Sequence, residues 1–139
     1  MFTLSASAQV VAGIVLLAAI SVASGGLLLT NIIQGRVEVT DFQKAFYRAG
    51  HAHAGVLIML GLLCLLFTET TSLTGIWLWL SRTGVLIAAI LMPAGFFFSA
   101  MGAGRTKPSR WIILLGIGAA FLVAGLATCG VGLLLAAAS

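Results

Sequence analysis

Four long apolar runs constrain this chain more tightly than any other feature. They cover about residues 8–33, 50–67, 82–101 and 111–137. A helix needs roughly 20 apolar residues to cross the hydrocarbon of a bilayer, and each run approaches or exceeds that length. In lipid every backbone donor and acceptor must be satisfied by the protein itself, which leaves helices or a closed barrel. Barrel strands would alternate apolar and polar residues over segments of roughly ten. These runs are apolar on every side, so they predict helices. Only 7% of the 139 residues are charged, against roughly 25% in a soluble domain. The expected fold is an all-α integral membrane protein.

The links between the runs are short: "QGRVEVTDFQKAFYRA" at 34–49, "TETTSLTG" at 68–75 and "GAGRTKPS" at 102–109. Short links make consecutive helices antiparallel neighbours. The expectation is a single membrane domain over 1–139, an up-down bundle of four transmembrane helices at about 8–33, 41–68, 75–101 and 109–137. The first run has no positively charged segment ahead of it and continues through "GGLLLTNII", so it predicts a retained helix rather than a cleaved signal. The second helix should begin before its apolar run. "TDFQ" at 40–43 is a capping-box pattern, with Asp41 at the positive end of the helix. Its first turns then lie at the headgroups. Phe42, Phe46 and Tyr47 suit the interfacial belt, as do Trp77, Trp79 and Trp111 elsewhere. Pro93 predicts a kink in the third helix.

Lysine and arginine set the expected orientation. Arg36, Lys44, Arg48, Arg105, Lys107 and Arg110 fall in the first and third links, and Arg82 alone falls on the other side. Loops 34–49 and 102–110 should be cytoplasmic and both termini outside, with a bacterial plasma membrane as the expected location. The net charge of +4 reflects these basic loops. No basic surface interleaved with aromatics points to nucleic acid.

Small residues organise the fourth helix. Gly116, Ala120, Ala124, Thr128 and Gly132 recur every four residues; Gly118, Gly125 and Gly132 recur every seven. Small residues let helix backbones approach closely in lipid. Two such rows predict one seam inside the bundle and one against a second chain. Gly118, Gly125 and Gly132 are the candidate contacts to other membrane subunits or to a homo-oligomer.

The candidate chemistry lies in "YRAGHAHAGVLIMLG", which holds both histidines of the chain, His51 and His53. Residues two apart on a helix point about 200° apart. The pair therefore cannot chelate one metal ion or supply both axial ligands of one haem. Each histidine needs its own partner. Met101 is a candidate co-ligand at similar depth, and a copy of the chain is another. Tyr47 and Gly55 lie one turn either side of His51, and Gly55 leaves room for a flat ligand. Arg48 stands beside the pair, where a quinone or lipid headgroup would reach it. Haem b, a metal ion held by His51 or His53, a quinone and a lipid all stay open as ligands.

"RAGHAHAGVLIMLG" resembles the histidine-bearing helix of heme-copper oxidase subunit I relatives, which include small stand-alone membrane proteins. The resemblance spans about one-tenth of the chain. It implies haem ligation by His51 or His53.

Other reactive constellations are missing from the sequence. Glu38, Asp41 and Glu69 are the only carboxylates, and Glu69 lies across the membrane from the others. Cys64 and Cys129 fall inside apolar runs and read as buried apolar residues. No nucleophile elbow, phosphate loop or zinc motif occurs. The expected function is therefore a non-catalytic accessory or assembly subunit of a larger membrane complex, redox or respiratory in kind, with a histidine site at the membrane interface. The alternatives are a self-contained haem- or metal-binding electron-transfer protein and a small oligomeric channel.

Overall fold

The computed structural model describes residues 3–138, and Met1, Phe2 and Ser139 lie outside it. The described residues form an all-helical, up-down bundle. Its helices are α1 (Ala6–Ile33), α2 (Asp41–Thr68), α3 (Gly75–Ala100) and α4 (Ile113–Ala137), with a short 3-10 turn at Arg110–Ile112 leading into α4. All four are long and apolar enough to cross a membrane, and no strand occurs among the described residues. α3 runs continuously through Pro93.

α3 is the centre of the bundle, packed along both α2 and α4. Leu57 and Cys64 of α2, Val85, Ala88 and Ala89 of α3 and Cys129 of α4 form its core. Glycine sets the spacing of α3 and α4. A Cβ at Gly125 would lie 2.9 Å from the Val85 backbone nitrogen, and one at Gly84 would lie 2.9 Å from the Gly125 Cα. Gly118 meets Met92 and Leu91, and Gly132 meets Leu73 and Thr71. The seven-residue glycine row of α4 is thus occupied within the chain. Gly116 and Gly130 have no neighbour within 4 Å.

α1 is the outlier. It lies along α2, and its central apolar stretch is not buried. Ser5 caps it by accepting from the Ala8 amide at 3.3 Å.

Polar groups lock each end of the bundle. At one end, Thr40 and Gln43 form the reciprocal capping box of α2. The Gln43 amide also donates to the carbonyls of Ala100 (2.9 Å) and Gly102 (2.7 Å). The Thr40 hydroxyl donates to the Arg105 carbonyl at 2.5 Å. Gly102 has φ +117°, a conformation that suits glycine, and α3 ends there. The first and third links therefore share one end of the bundle.

At the other end, Glu69 pairs with Arg82 and accepts from the Ser5 amide at 2.8 Å. Arg82 also donates to the hydroxyls of Ser5 and Ser7 at 3.1 and 3.2 Å. Burial alone would raise the Glu69 pKa. The bonds from Ser5 and the Arg82 guanidinium outweigh it and hold the carboxyl below its usual range. This cluster ties the start of α1 to the α2–α3 turn.

Candidate functional site

The capping box fixes where α2 begins, and so how far along it the histidines lie. At 1.5 Å per residue, α2 is about 42 Å long, and His51 stands about 15 Å from its start. The charged residues of α2, Asp41, Lys44 and Arg48, all precede His51, and the apolar run of the helix begins at Gly50, one residue before it.

The two rings face different elements. His53 turns toward α3, its ring 4.9 Å from that of Phe96 and its Nδ1 2.8 Å from the Ala49 carbonyl. A carbonyl only accepts, so that nitrogen carries the proton. His51 turns toward α1. A Cβ on Gly25 would meet its Nδ1 at 3.3 Å, and one on Gly26 would meet its Nε2 at 3.8 Å. The glycine pair is the notch in α1 that admits the imidazole. Mid-helix glycines cost roughly 0.5–1 kcal/mol each relative to alanine, and this contact gives them a use.

His51 stands at one end of a cavity of about 370 Å³ between α1, α2 and α3. The wall runs along α1 from Ile14 to Gly25 and along α3 from Leu86 to Phe97. Each stretch is about 16 Å of helix. The cavity is thus a slot along the helix axes, with its polar group at the end nearer the first and third links. Ile14 and Ile90 on its rim are 62% and 69% exposed, so the slot opens sideways toward lipid. Phe97, which lines the same slot, is stacked by Tyr47 with centroids 5.5 Å apart. Pro93 lines the same wall. It has no N–H for the carbonyl one turn back, at Ala89, which also lines the slot.

Polar accounting separates His51 from the serines and threonines of the helices. Ser21, Ser24 and Thr30 donate to carbonyls of their own helix, as do Thr83, Ser99 and Thr128. Thr68 donates to the Cys64 carbonyl and bonds Ser81 at 2.6 Å. Among the described residues, no hydrogen-bond partner reaches the His51 ring. An unsatisfied polar group in hydrocarbon costs several kcal/mol.

The remaining residues read from the sequence scatter. Tyr47 braces Phe97, and its hydroxyl lies 3.4 Å from the Ala100 carbonyl. Arg48 is exposed on α2. Met101 caps α3, is 57% exposed, and lines a separate depression with Phe98, Arg105 and Trp111. Gly55 faces open space. His51 and Met101 are not brought to one site, and neither are His51 and His53.

The donors on the slot wall are one imidazole and the Ser21 hydroxyl, which is committed to the Ala18 carbonyl. This set does not fit a six-coordinate haem or a closed metal site within one chain, because a second strong ligand is missing from the wall. Among the described residues no group of three or more His, Cys, Asp or Glu gathers to hold a metal.

Gly25, Gly26 and Phe97 complete the site and escaped the sequence reading. A signal existed for the first two: adjacent glycines in the middle of a long apolar helix need a packing reason. Phe97 gave none, since it sits in a run of three phenylalanines.

Fold and cavity together define a four-helix membrane protein with a laterally open intramembrane slot. No family model, curated protein or solved structure matches the chain.

Proposed function

We propose that this chain is a non-catalytic membrane subunit whose working feature is the His51 slot. It holds a small amphipathic molecule inside the bilayer, as an accessory part of a larger membrane complex. The observation that carries this reading is the His51 imidazole, without a hydrogen-bond partner among the described residues, at the end of an apolar cavity between the helices. The accessory role is supported by how the other polar groups are used. The ion pair of Glu69 and Arg82 joins helices, and the bonds of Thr40 and Gln43 join links, so neither is free for chemistry on a substrate.

The links carrying six of the seven Lys and Arg residues face the cytoplasm in this reading. The other end carries the single basic residue Arg82, paired with Glu69, and the positive-inside rule weighs the six-to-one count of Lys and Arg.

The test is gentle extraction of the full chain from its native membrane, followed by mass spectrometry of copurifying proteins and small molecules and by an absorption spectrum. The reading expects partner subunits and a small molecule that disappears in His51→Leu and persists in His53→Leu. A chain that purifies alone, with the same small-molecule content in both variants, overturns it. A haem Soret band lost in His51→Leu would replace it with the electron-transfer reading.

A further inference from the structure

We infer that the slot takes a membrane quinone, its ring at His51 and Phe97 and its chain running along α1 and α3 toward the bilayer centre. This inference rests on the proposed ligand-holding role and narrows it to one chemical class.

Four properties of the slot select the class. The first is neutrality. No Lys, Arg, Asp or Glu lines the wall, so a phosphate or carboxylate headgroup would enter without a counter-charge, at a large desolvation cost. The second is the kind of polar contact. A neutral imidazole offers one N–H donor and one bare nitrogen. A quinone carbonyl accepts from the N–H. After reduction, a quinol hydroxyl donates to the bare nitrogen of the other tautomer.

The third property is shape. The α1 backbone comes close to the imidazole at Gly25 and Gly26, and Phe97 lines the same slot. A flat ring fits there and stacks on Phe97, a contact worth roughly 0.5–1.5 kcal/mol beyond burial for an aromatic pair. The fourth is polarity along the slot. The imidazole stands at the end nearer the membrane surface, and beyond it lies about 16 Å of nearly unbroken apolar wall. That gradient matches a polar ring followed by an isoprenoid chain, admitted from lipid past Ile14 and Ile90.

Water is a poor occupant by comparison. A buried water needs two to four polar partners, and the wall supplies one free side chain. A long-chain alcohol meets His51 through a hydroxyl but leaves Phe97 without a ring to stack on. A six-coordinate haem would need the second ligand that the wall lacks.

The experiment uses the full chain in phospholipid nanodiscs, free of added cofactor. Decyl-ubiquinone is titrated against it, with decanol and decylbenzene as headgroup controls, and binding is measured by separating bound from free ligand. Wild type should bind about one decyl-ubiquinone per chain, saturably, at least tenfold more tightly than either control. His51→Leu should weaken quinone binding about tenfold, the size of one lost hydrogen bond. His53→Leu should leave it unchanged. Circular dichroism and gel filtration confirm that each variant is folded.

Equal affinity for decyl-ubiquinone and decylbenzene overturns the quinone assignment, and so does a His51→Leu variant that binds the quinone as wild type does. If the quinone fails while a different native small molecule is lost from His51→Leu, the inference falls and the ligand-holding role stands. If no molecule depends on His51, both fall.

Discussion

Gly125→Ala tests the packing logic of the bundle most directly. The added Cβ would stand 2.9 Å from the Val85 backbone nitrogen and 3.2 Å from the Gly84 Cα. Ordinary contact begins at about 3.4 Å, so α4 must retreat by about 0.5 Å. Both obstacles are backbone, and no rotamer change relieves them. A gap of that size forfeits a quarter to a half of the dispersion energy of each contact it opens. Cys129 and Phe121 of α4 would lose contact with the Val85 and Ala88 cluster. Overpacking of this kind costs about 1–3 kcal/mol. Alanine returns roughly 0.5–1 kcal/mol in helix propensity. The expected net loss is about 1–2 kcal/mol.

Unfolding in mixed SDS–dodecylmaltoside micelles, followed by circular dichroism, reads the change as a lowered midpoint. Gly116→Ala and Gly130→Ala are the controls, because no atom lies within 4 Å of either position. They should be neutral or slightly stabilising. If Gly125→Ala matches those controls in stability and instead breaks an oligomer on gel filtration, the glycine row joins chains, and the argument from the α3–α4 contact is refuted.

Three further outcomes follow from the ends of the bundle and from the notch. Glu69 titrates lower in the folded chain than in the unfolded one, so its stabilisation is complete above the usual carboxylate range and is lost as pH falls through the lower folded value. The SDS midpoint should fall with acidification in that window in wild type and stay flatter in Glu69→Gln. Gln43→Leu strips a donor from the carbonyls of Ala100 and Gly102; a loss of about 2–3 kcal/mol and faster tryptic cleavage after Arg105 are expected. Gly25→Leu should push the His51 ring out of its notch and close the mouth of the slot. Any ligand lost from His51→Leu should be lost here too, and retention would show that the notch is not part of the site.

The architecture was legible because its cause is one-dimensional. Run length and apolarity decide a membrane helix within a single segment, and short links decide that neighbours are antiparallel. The capping box at Thr40 was equally readable, since both its partners lie within four residues. What could not be read is whatever depends on which helix faces which. The glycines at 118, 125 and 132 announced a close approach, but only the packed bundle shows that Gly84 and Val85 of α3 make it. The ion pair of Glu69 and Arg82 joins residues from the end of one helix and the first turns of the next. Its third member, Ser5, comes from 64 residues away, and no local pattern predicts that.

The histidines show the same limit in a more useful form. Their spacing alone required them to face apart, and the motif alone made them look equivalent. Satisfaction of hydrogen bonds distinguishes them. His53 has a carbonyl one turn back in its own helix, as the buried serines and threonines do. One of its nitrogens is thereby satisfied within α2, and the Phe96 ring lies against it. His51 is turned by the helix toward the one element that packs loosely, where two glycines remove the side chains that might have bonded it. A chain selected only for stability would place leucine there and fill the slot, gaining burial and avoiding the cost of an imidazole in hydrocarbon. The combination of a costly polar ring, two glycines that weaken α1 and an unfilled apolar slot therefore argues for an occupant. It is a stronger argument than the H-x-H motif, because the motif applies to both histidines and the cost falls on one.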